Sequence, residues 1–398
     1  MDLTIHPRKL QGDISVIPSK SLAHRYLICA AFAEGPTKIL CPETSRDMDA
    51  TAGCLQALGA SIFKDETGYL VEPVKQIPRE ADLPCRDSGS TLRFLLPVAG
   101  ALGVRATFHL EGRLPGRPLS PLWEEMERMG CRLSRPTEDT VLCEGTLKSG
   151  TFSIDGSISS QFISGLLFAS ALIPGENRVQ LQGKVESRPY IEMTQAAMAL
   201  FGRNPEDLAL TGGAPFHSPG SLSVEGDWSN GAFFLAAESL GSRIHILNLR
   251  PDSCQGDRAA AELLPKLHHF QVISAADIPD LVPILAVRAA CSQGARFTDI
   301  RRLWLKESDR VQSVIQLIVS LGGTAREENE ALIIEGTGLT GGTVDAGNDH
   351  RIAMAAAIAA TACSEEVHIL GADCVSKSYP GFFKEYRRLG GNYEQYIR

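Results

Sequence analysis

An internally repeated α/β fold, spread over two or three domains of a 398-residue chain, is what this sequence predicts. Three observations predict it. The chain is longer than the roughly 250–300 residues that a single core usually serves. Helical stretches with one apolar face alternate with short β-branched runs along its whole length. One unit also recurs, in which an amphipathic helix ends at a glycine and runs straight into a strand. It is seen in LQALGASIF around Gly59, MERMGCRLSR around Gly130, ALFGRN around Gly202, VSLGGTAR around Gly322 and YRRLGGNYE around Gly390. A glycine at that place takes the left-handed conformation that lets the chain reverse, so its repeated use implies repeated helix-turn-strand modules.

In chain order, the first helix is expected at about 20–33. Pro18 and Ser19 are start signals, Leu22, Tyr26 and Ala30 fall on one face, and Gly35 is a stop. Helices follow at about 47–58, 90–102, 120–129, 160–172 and 190–201, several closed by the glycines just named. A Pro/Gly/Ser-rich stretch, PGSLSVEGDWSN at 219–230, then leads into a new apolar helix and is the expected hinge. Beyond it, helices are expected at about 228–240, 257–267, 280–291, 308–321 and 350–362. Strands fill most of the gaps, as in ATFHLEG, TVLCEG, RVQLQG, RIHILNL, ALIIEG and EVHILGA, many followed by turn glycines.

Composition narrows the function classes. With 43% hydrophobic and 22% charged residues the balance is that of a globular protein, which argues against disorder. A net charge of −8 without any Lys/Arg run argues against nucleic acid or an anionic membrane surface as partner. No apolar run is long enough to span a bilayer and the N-terminus lacks a signal-peptide core, so the cytoplasm is the expected location. Ten cysteines are scattered without a C-x-x-C pair. Zinc-site and disulfide readings therefore fail together, and buried reduced thiols are expected.

The chemistry gathers at helix starts. PSKSLAHR (18–25) places Lys20 and Arg25 in the first turns of a helix, where the dipole and the free backbone N–H groups favour an anion. DSGSTLRFLLP (87–97), GSISSQFISGLL (156–167), WLKESDRVQSV (304–314) and NDHRIAMAAA (348–357) repeat the arrangement, mostly pairing small or hydroxyl residues with cations. Two loops add Arg113, Arg117 and Lys377. Any one of these cations alone reads most simply as a solvated surface charge. Their recurrence in both halves of an acidic chain points instead to a small ligand carrying several negative charges. Two acids stand among them. Asp280 is a lone carboxylate heading an apolar helix and Glu307 lies beside Lys306. The first could be only a cap and the second only an ion-pair partner, or both could transfer protons. Gly336, Gly338 and Gly341 have dinucleotide-fingerprint spacing, but no helix opens at the third glycine, which argues against that reading.

Taken together, PSKSLAHR, DSGSTLRFL, GRPLSPL, SSQF, SRPYIEMT, IPD, LKESDR, DHRIAMA and SKSYP resemble, in order from residue 18 to 380, the 5-enolpyruvylshikimate-3-phosphate (EPSP) synthases, the enolpyruvyl transferases of the shikimate pathway. The resemblance implies a two-domain inverse α/β barrel-like fold, each domain built from three β-α-β-α-β-β repeats with helices inside and sheets outside. It implies an N-terminal domain at 13–226, mainly for shikimate 3-phosphate. A C-terminal domain of 1–12 plus 227–398, mainly for phosphoenolpyruvate, would complete the molecule, with the ligands in the cleft between the domains.

Residue by residue, the resemblance implies that Lys20, Ser21, Arg25, Ser159, Ser160, Gln161, Ser187, Asp280 and Lys306 face shikimate 3-phosphate. Lys20, Gly89, Arg117, Glu307, Arg310, His350, Arg351 and Lys377 would surround phosphoenolpyruvate. Lys20, Asp280, Glu307 and Lys377 are the implied catalytic set, with Asp280 taking the hydroxyl proton and Glu307, helped by Lys20, handling the proton at C3. No cofactor and no metal is expected, the partners are the two small-molecule substrates, and the chain is expected to be a monomer. Asp87, Phe94 and Arg302 depart from the residues common in the family, which bears on affinity more than on reaction. Gly89 matches the glycine that leaves room for glyphosate, so sensitivity is expected. The related transferase acting on UDP-N-acetylglucosamine is disfavoured because no cysteine lies between Leu110 and Leu122. A non-catalytic anion-binding protein of the same fold is disfavoured by retention of the whole catalytic set.

Overall fold

The structure, a computed structural model, describes residues 1–396. Its chain divides into two compact units, one formed by Pro18–Val224 and the other by Met1–Ile17 together with the chain from Glu225 onward. We call them the inserted unit and the terminal unit.

The repeat is plainest in the middle of the inserted unit. Strand Glu80–Arg86 leads into helix Gly89–Leu102, strand Arg105–Leu110, helix Leu122–Arg128 and the paired strands Cys131–Ser134 and Thr140–Gly145. The first two strands pair in parallel, as a helical crossover requires, and the last two join antiparallel. The same order and sense recur in a sheet of Ser221–Ser223, Thr37–Leu40, Gly68–Glu72 and Ser61–Asp65, whose first strand comes from the far end of the unit. A third sheet joins Thr151–Asp155, Gly175–Gln182 and Ala209–Gly212.

Helices fill the interior. Every residue from Leu22 to Ala31 of helix Lys20–Ala31 is buried. Helices Gly89–Leu102 and Ser160–Leu172 are nearly as enclosed, which is the state that helices apolar on all sides require. The last two pack closely because position 165 is glycine; a Cβ there would collide with the carbonyl oxygen of Arg93.

The terminal unit follows the same plan. Its sheets run Gly342–Asp345, Val367–Leu370, Asp2–His6, Asn392–Tyr396, and Gln271–Ser274, Ala295–Thr298, Ala331–Glu335, Thr324–Glu328, each parallel at the first pairing and antiparallel after it. Helices Trp228–Ser239, Val282–Ala290 and His350–Ala359 form its core. Gln11–Ile14 pairs in parallel with Arg243–Ile246. That pairing holds Asp13 and Ile14 in the terminal unit, whose compact grouping extends to Ile17. The chain returns to it between Val224 and Glu225, inside the 219–230 stretch.

The recurring glycines serve as expected: Gly59, Gly130, Gly202, Gly322 and Gly390 all have φ between 71° and 116°. One local reading needs correction. The helix expected at 257–267 is a 3-10 turn, Gly256–Ala259, followed by Ala260–Lys266. Helix Phe382–Arg388 is the helix that YRRLGGNYE implied ahead of Gly390. Among the cysteines, Cys254 is exposed and Cys291 half-buried, while the other eight are buried thiols. The chain from Gly336 to Gly341 connects two strands and opens no helix, as its composition implied. Among the described residues no helix is long and apolar enough to cross a membrane.

Candidate functional site

In the inserted unit, the hydroxyl of Ser19 caps helix Lys20–Ala31 by accepting from the Leu22 N–H, and the first turn holds no acid. Lys20 is the first helical residue. Its Nζ donates to Asp47 Oδ2 at 2.9 Å, with the two side chains only 14% and 13% exposed. Asp47 stands in the first turn of helix Arg46–Ala57, where the dipole favours a carboxylate. The cation at one helix start is thus answered by an anion at the next.

Arg25, one turn further on, is buried. Its guanidinium donates to Thr194 Oγ1 (2.8 Å), Ser21 O (2.7 Å) and Tyr190 O (2.9 Å) and lies over the Phe94 ring. His24, beside it, begins a buried polar chain that passes through Thr51 and Thr91 to Ser88, the cap of helix Gly89–Leu102. Burial first, then the charges of Lys20 and Arg25, push the imidazole of His24 well below its ordinary pKa.

The next two helix starts are joined to each other. Arg93 Nη1 donates to Gln161 Oε1 at 2.8 Å, and Gln161 Nε2 donates to Ser90 Oγ at 2.9 Å. Ser159 caps helix Ser160–Leu172 by accepting from the Gln161 N–H, and both serines are buried. Gly89 is the first residue of its helix, and a Cβ there would lie 2.8 Å from Arg117 Nη1 and 3.1 Å from Arg93 Nη1. Two guanidinium groups therefore gather at one capped helix N-terminus, an arrangement suited to phosphate or carboxylate oxygens. Ser187 is buried in the left-handed region at φ 53°, a conformation costly for a residue with a side chain. Arg113 is exposed.

The terminal unit holds the second cluster. Asp280 is not a helix cap: helix Val282–Ala290 begins after Leu281 and receives no side-chain cap. Its carboxylate is instead surrounded by Arg310 Nη1 (2.7 Å), Arg351 Nη2 (3.0 Å) and Lys306 Nζ (3.4 Å). Burial would raise its pKa, but Arg351, Lys306 and Arg310 outweigh that and hold it well below the carboxylate range. Lys306 goes the other way. Burial, with Arg302 and Arg310 beside it, lowers its pKa to about 8 against the pull of Asp280 and Glu307.

Arg310 is the hub of this cluster. Fully buried, it reaches Asp280, Glu307 Oε2 (2.6 Å) and Asp349 Oδ2 (3.0 Å). Asp349 caps helix His350–Ala359, accepting from the Arg351 N–H, and takes a further bond from Ser308 Oγ. His350 and Arg351 open that helix, and Lys377 Nζ lies 3.5 Å from Asn348 O just before it.

Each unit thus brings its share of the sequence-named residues together. Lys20, Ser21 and Arg25 share one helix start, and Gly89, Arg117 and Gln161 meet around Arg93. Asp280, Lys306, Glu307, Arg310 and Arg351 form one ion-paired group. Three participants were missed. Asp47 and Asp349 each follow a cap signal, Ser45 in TSRD and Asp349 itself in NDHR, yet nothing along the chain shows which cation each one meets. Arg93 was noticed but given no role.

Comparison with known proteins identifies the family of the chain. The profile of the family described as EPSP synthase (3-phosphoshikimate 1-carboxyvinyltransferase) matches residues 5–386. A 3-phosphoshikimate 1-carboxyvinyltransferase of Clostridium perfringens is 38% identical over 97% of this chain and 98% of its own length. That of Clostridium kluyveri is 35% identical over 99% and 98%. A solved EPSP synthase of Acinetobacter baumannii superposes with a TM-score of 0.79 at 22% identity, covering 99% of this chain and all of the other, which supports the shared fold.

Proposed function

We propose that this chain, which belongs to the EPSP synthase family, transfers the enolpyruvyl group of phosphoenolpyruvate to the 5-hydroxyl of shikimate 3-phosphate and releases phosphate. The observation that carries the reading is the carboxylate of Asp280 gripped by Lys306, Arg310 and Arg351. A deprotonated acid among displaceable cations is what an addition of a hydroxyl to an anionic enol ester needs.

In the first step the 5-oxygen of shikimate 3-phosphate bonds to C2 of phosphoenolpyruvate, the hydroxyl proton leaves, and C3 gains a proton. In the second, the C3 methyl gives up a proton and the C2–O bond to phosphate breaks, restoring the double bond. Asp280 takes the hydroxyl proton. Held by three cations it is a weak base; substrate oxyanions that draw Lys306 and Arg351 toward themselves raise its basicity when it is needed. Glu307 handles the proton at C3, assisted by Lys20. Lys20, Arg117 and Lys377 stabilise the charge that grows on the departing phosphate, an effect strongest away from water.

Ser21, Arg25, Ser159, Ser160, Gln161 and Ser187 hold shikimate 3-phosphate with Lys20, Asp280 and Lys306. Gly89, Arg310, His350 and Arg351 complete the surroundings of phosphoenolpyruvate. The inserted unit then serves mainly the first substrate and the terminal unit mainly the second. A cytoplasmic monomer is the expected form.

The test is phosphate release by the purified chain with both substrates in chelator-containing buffer, beside UDP-N-acetylglucosamine as the alternative acceptor. Release only with shikimate 3-phosphate is expected. Release only with the nucleotide sugar, or with neither acceptor, refutes the proposal.

A further inference from the structure

Within the terminal unit, helix Val282–Ala290 begins two residues after Asp280 and carries a buried cation, Arg288, near its other end. Arg288 lies in the last turn of a helix whose residues are all buried, and it is itself only 3% exposed. Its Nε has no hydrogen-bond partner. Its Nη2 donates to His268 Nδ1 at 3.1 Å, a nitrogen that can accept only while unprotonated. Among the described residues no carboxylate pairs with it.

A basic residue in a last turn often caps the helix carbonyls. Arg288 does not. The carbonyls of Val287, Ala289 and Ala290 accept from the backbone N–H groups of Cys291, of Ser292 and Gly294, and of Gly338. That of Arg288 accepts from Ser292 Oγ. The helix end is therefore satisfied without the guanidinium, which cannot shed its proton and has the His268 ring rather than a carboxylate as its partner.

A pocket of about 550 Å³ is lined by this side chain. Lys9 adds a second cation at its edge, with Nζ donating to Leu240 O and further N–H donors remaining. Leu240, Leu339 and Ala362 add apolar wall, and no carboxylate lines the pocket. Two cations and no anion, beside Ser239, Ser292 and Gln293 as neutral hydrogen-bonding groups, suit an anionic ligand, and the volume is in the size range of small-molecule sites.

We propose that this pocket binds a small organic anion, one carboxylate or phosphate group on a short apolar body, with Arg288 as the buried anchor and Lys9 as the outer contact. Nothing in this reading depends on the proposed reaction.

The test is titration calorimetry of the full chain at low ionic strength with inorganic phosphate and, separately, with benzoate. Phosphate reports the oxyanion alone and benzoate the carboxylate with an apolar body. Saturable binding by the wild type is expected. Arg288→Met should lose one saturable equivalent or weaken it by at least about tenfold, Lys9→Met should weaken that same equivalent several-fold, and Lys20→Met should retain it, because any anion held by the proposed reaction residues is a separate equivalent. Arg288→Met should also melt no lower than wild type in anion-free buffer, because it removes a buried charge that no carboxylate pairs. If that variant fails to fold, Ala362→Trp, which fills the pocket and leaves Arg288 in place, must reproduce the loss. Absence of saturable binding by the wild type overturns the proposal. So does a binding isotherm, in stoichiometry and affinity, that is unchanged in Arg288→Met, or in Ala362→Trp where that variant stands in.

Discussion

Replacing Asp280 by Asn keeps the side chain's shape and removes the charge that Arg310, Arg351 and Lys306 surround, and two consequences separate. The first concerns stability. Removing one partner of a buried ion pair costs about 3–5 kcal/mol; the Asp280 side chain is 18% exposed, so solvent screening brings the expected loss to about 2–3 kcal/mol. For a unit of this size that is a melting point lower by about 5–10 °C. The acid limb should change as well. A carboxyl whose folded pKa lies below its unfolded value stabilises fully above the unfolded pKa and loses that contribution as pH falls through the folded one. Asp280→Asn should therefore lose most at neutral pH and converge on wild type in acid. The second consequence is chemical: without the base, turnover should fall by about 10²–10⁴. Thermal melts across pH and the phosphate-release assay read the two effects independently. Turnover within about tenfold of wild type would remove Asp280 from proton transfer. An unchanged melting point at pH 7 would show that the three cations do not depend on it.

Lys20→Met should keep the fold and lose turnover by orders of magnitude, since it removes a charge aimed at substrate; near-wild-type activity by steady-state kinetics would refute Lys20 as an anion ligand. Gly89→Ala places a methyl group 2.8 Å from Arg117 Nη1 and 3.1 Å from Arg93 Nη1, so both guanidinium groups must shift. Wild type is expected to be inhibited by glyphosate and the variant to resist it with a raised KM for phosphoenolpyruvate; a wild type indifferent to millimolar glyphosate contradicts this. Lys306→Met should flatten the alkaline limb of the stability profile. With its folded pKa at about 8 and its unfolded value at 10.5, the unfolded chain binds more protons between them, so wild-type stability should rise with pH across that window by at most about 3 kcal/mol. An equal rise in Lys306→Met, measured by chemical denaturation, would mean that other groups cause it.

Much of this molecule could be read along the chain because its rules are local. A glycine that ends a helix acts within a few residues, and Gly59, Gly130, Gly202, Gly322 and Gly390 all adopt the positive φ that their recurrence implied. Serine and aspartate caps act just as locally, so the starts of helices Lys20–Ala31, Gly89–Leu102 and Ser160–Leu172 lay close to where they were expected. What escaped depends on distant pairing. Asp13 and Ile14 could not be assigned without knowing that Gln11–Ile14 pairs with Arg243–Ile246. Asp280 looked like a possible cap because its partners, Arg310 and Arg351, lie 30 and 71 positions away. The same limit explains Asp47 and Asp349. A sequence rich in cations at helix starts shows where anions are welcome, and here Lys20, Lys306, Arg310 and Arg351 are met by the chain's own carboxylates, whereas Arg25 and Arg93 are met by hydroxyl, carbonyl and amide oxygens. The first carboxylates to seek are therefore acids near other helix starts, where a dipole lets them remain charged. Asp47 and Asp349 occupy such positions. Asp280 does so two residues ahead of helix Val282–Ala290, free of the cap and so available to three cations at once.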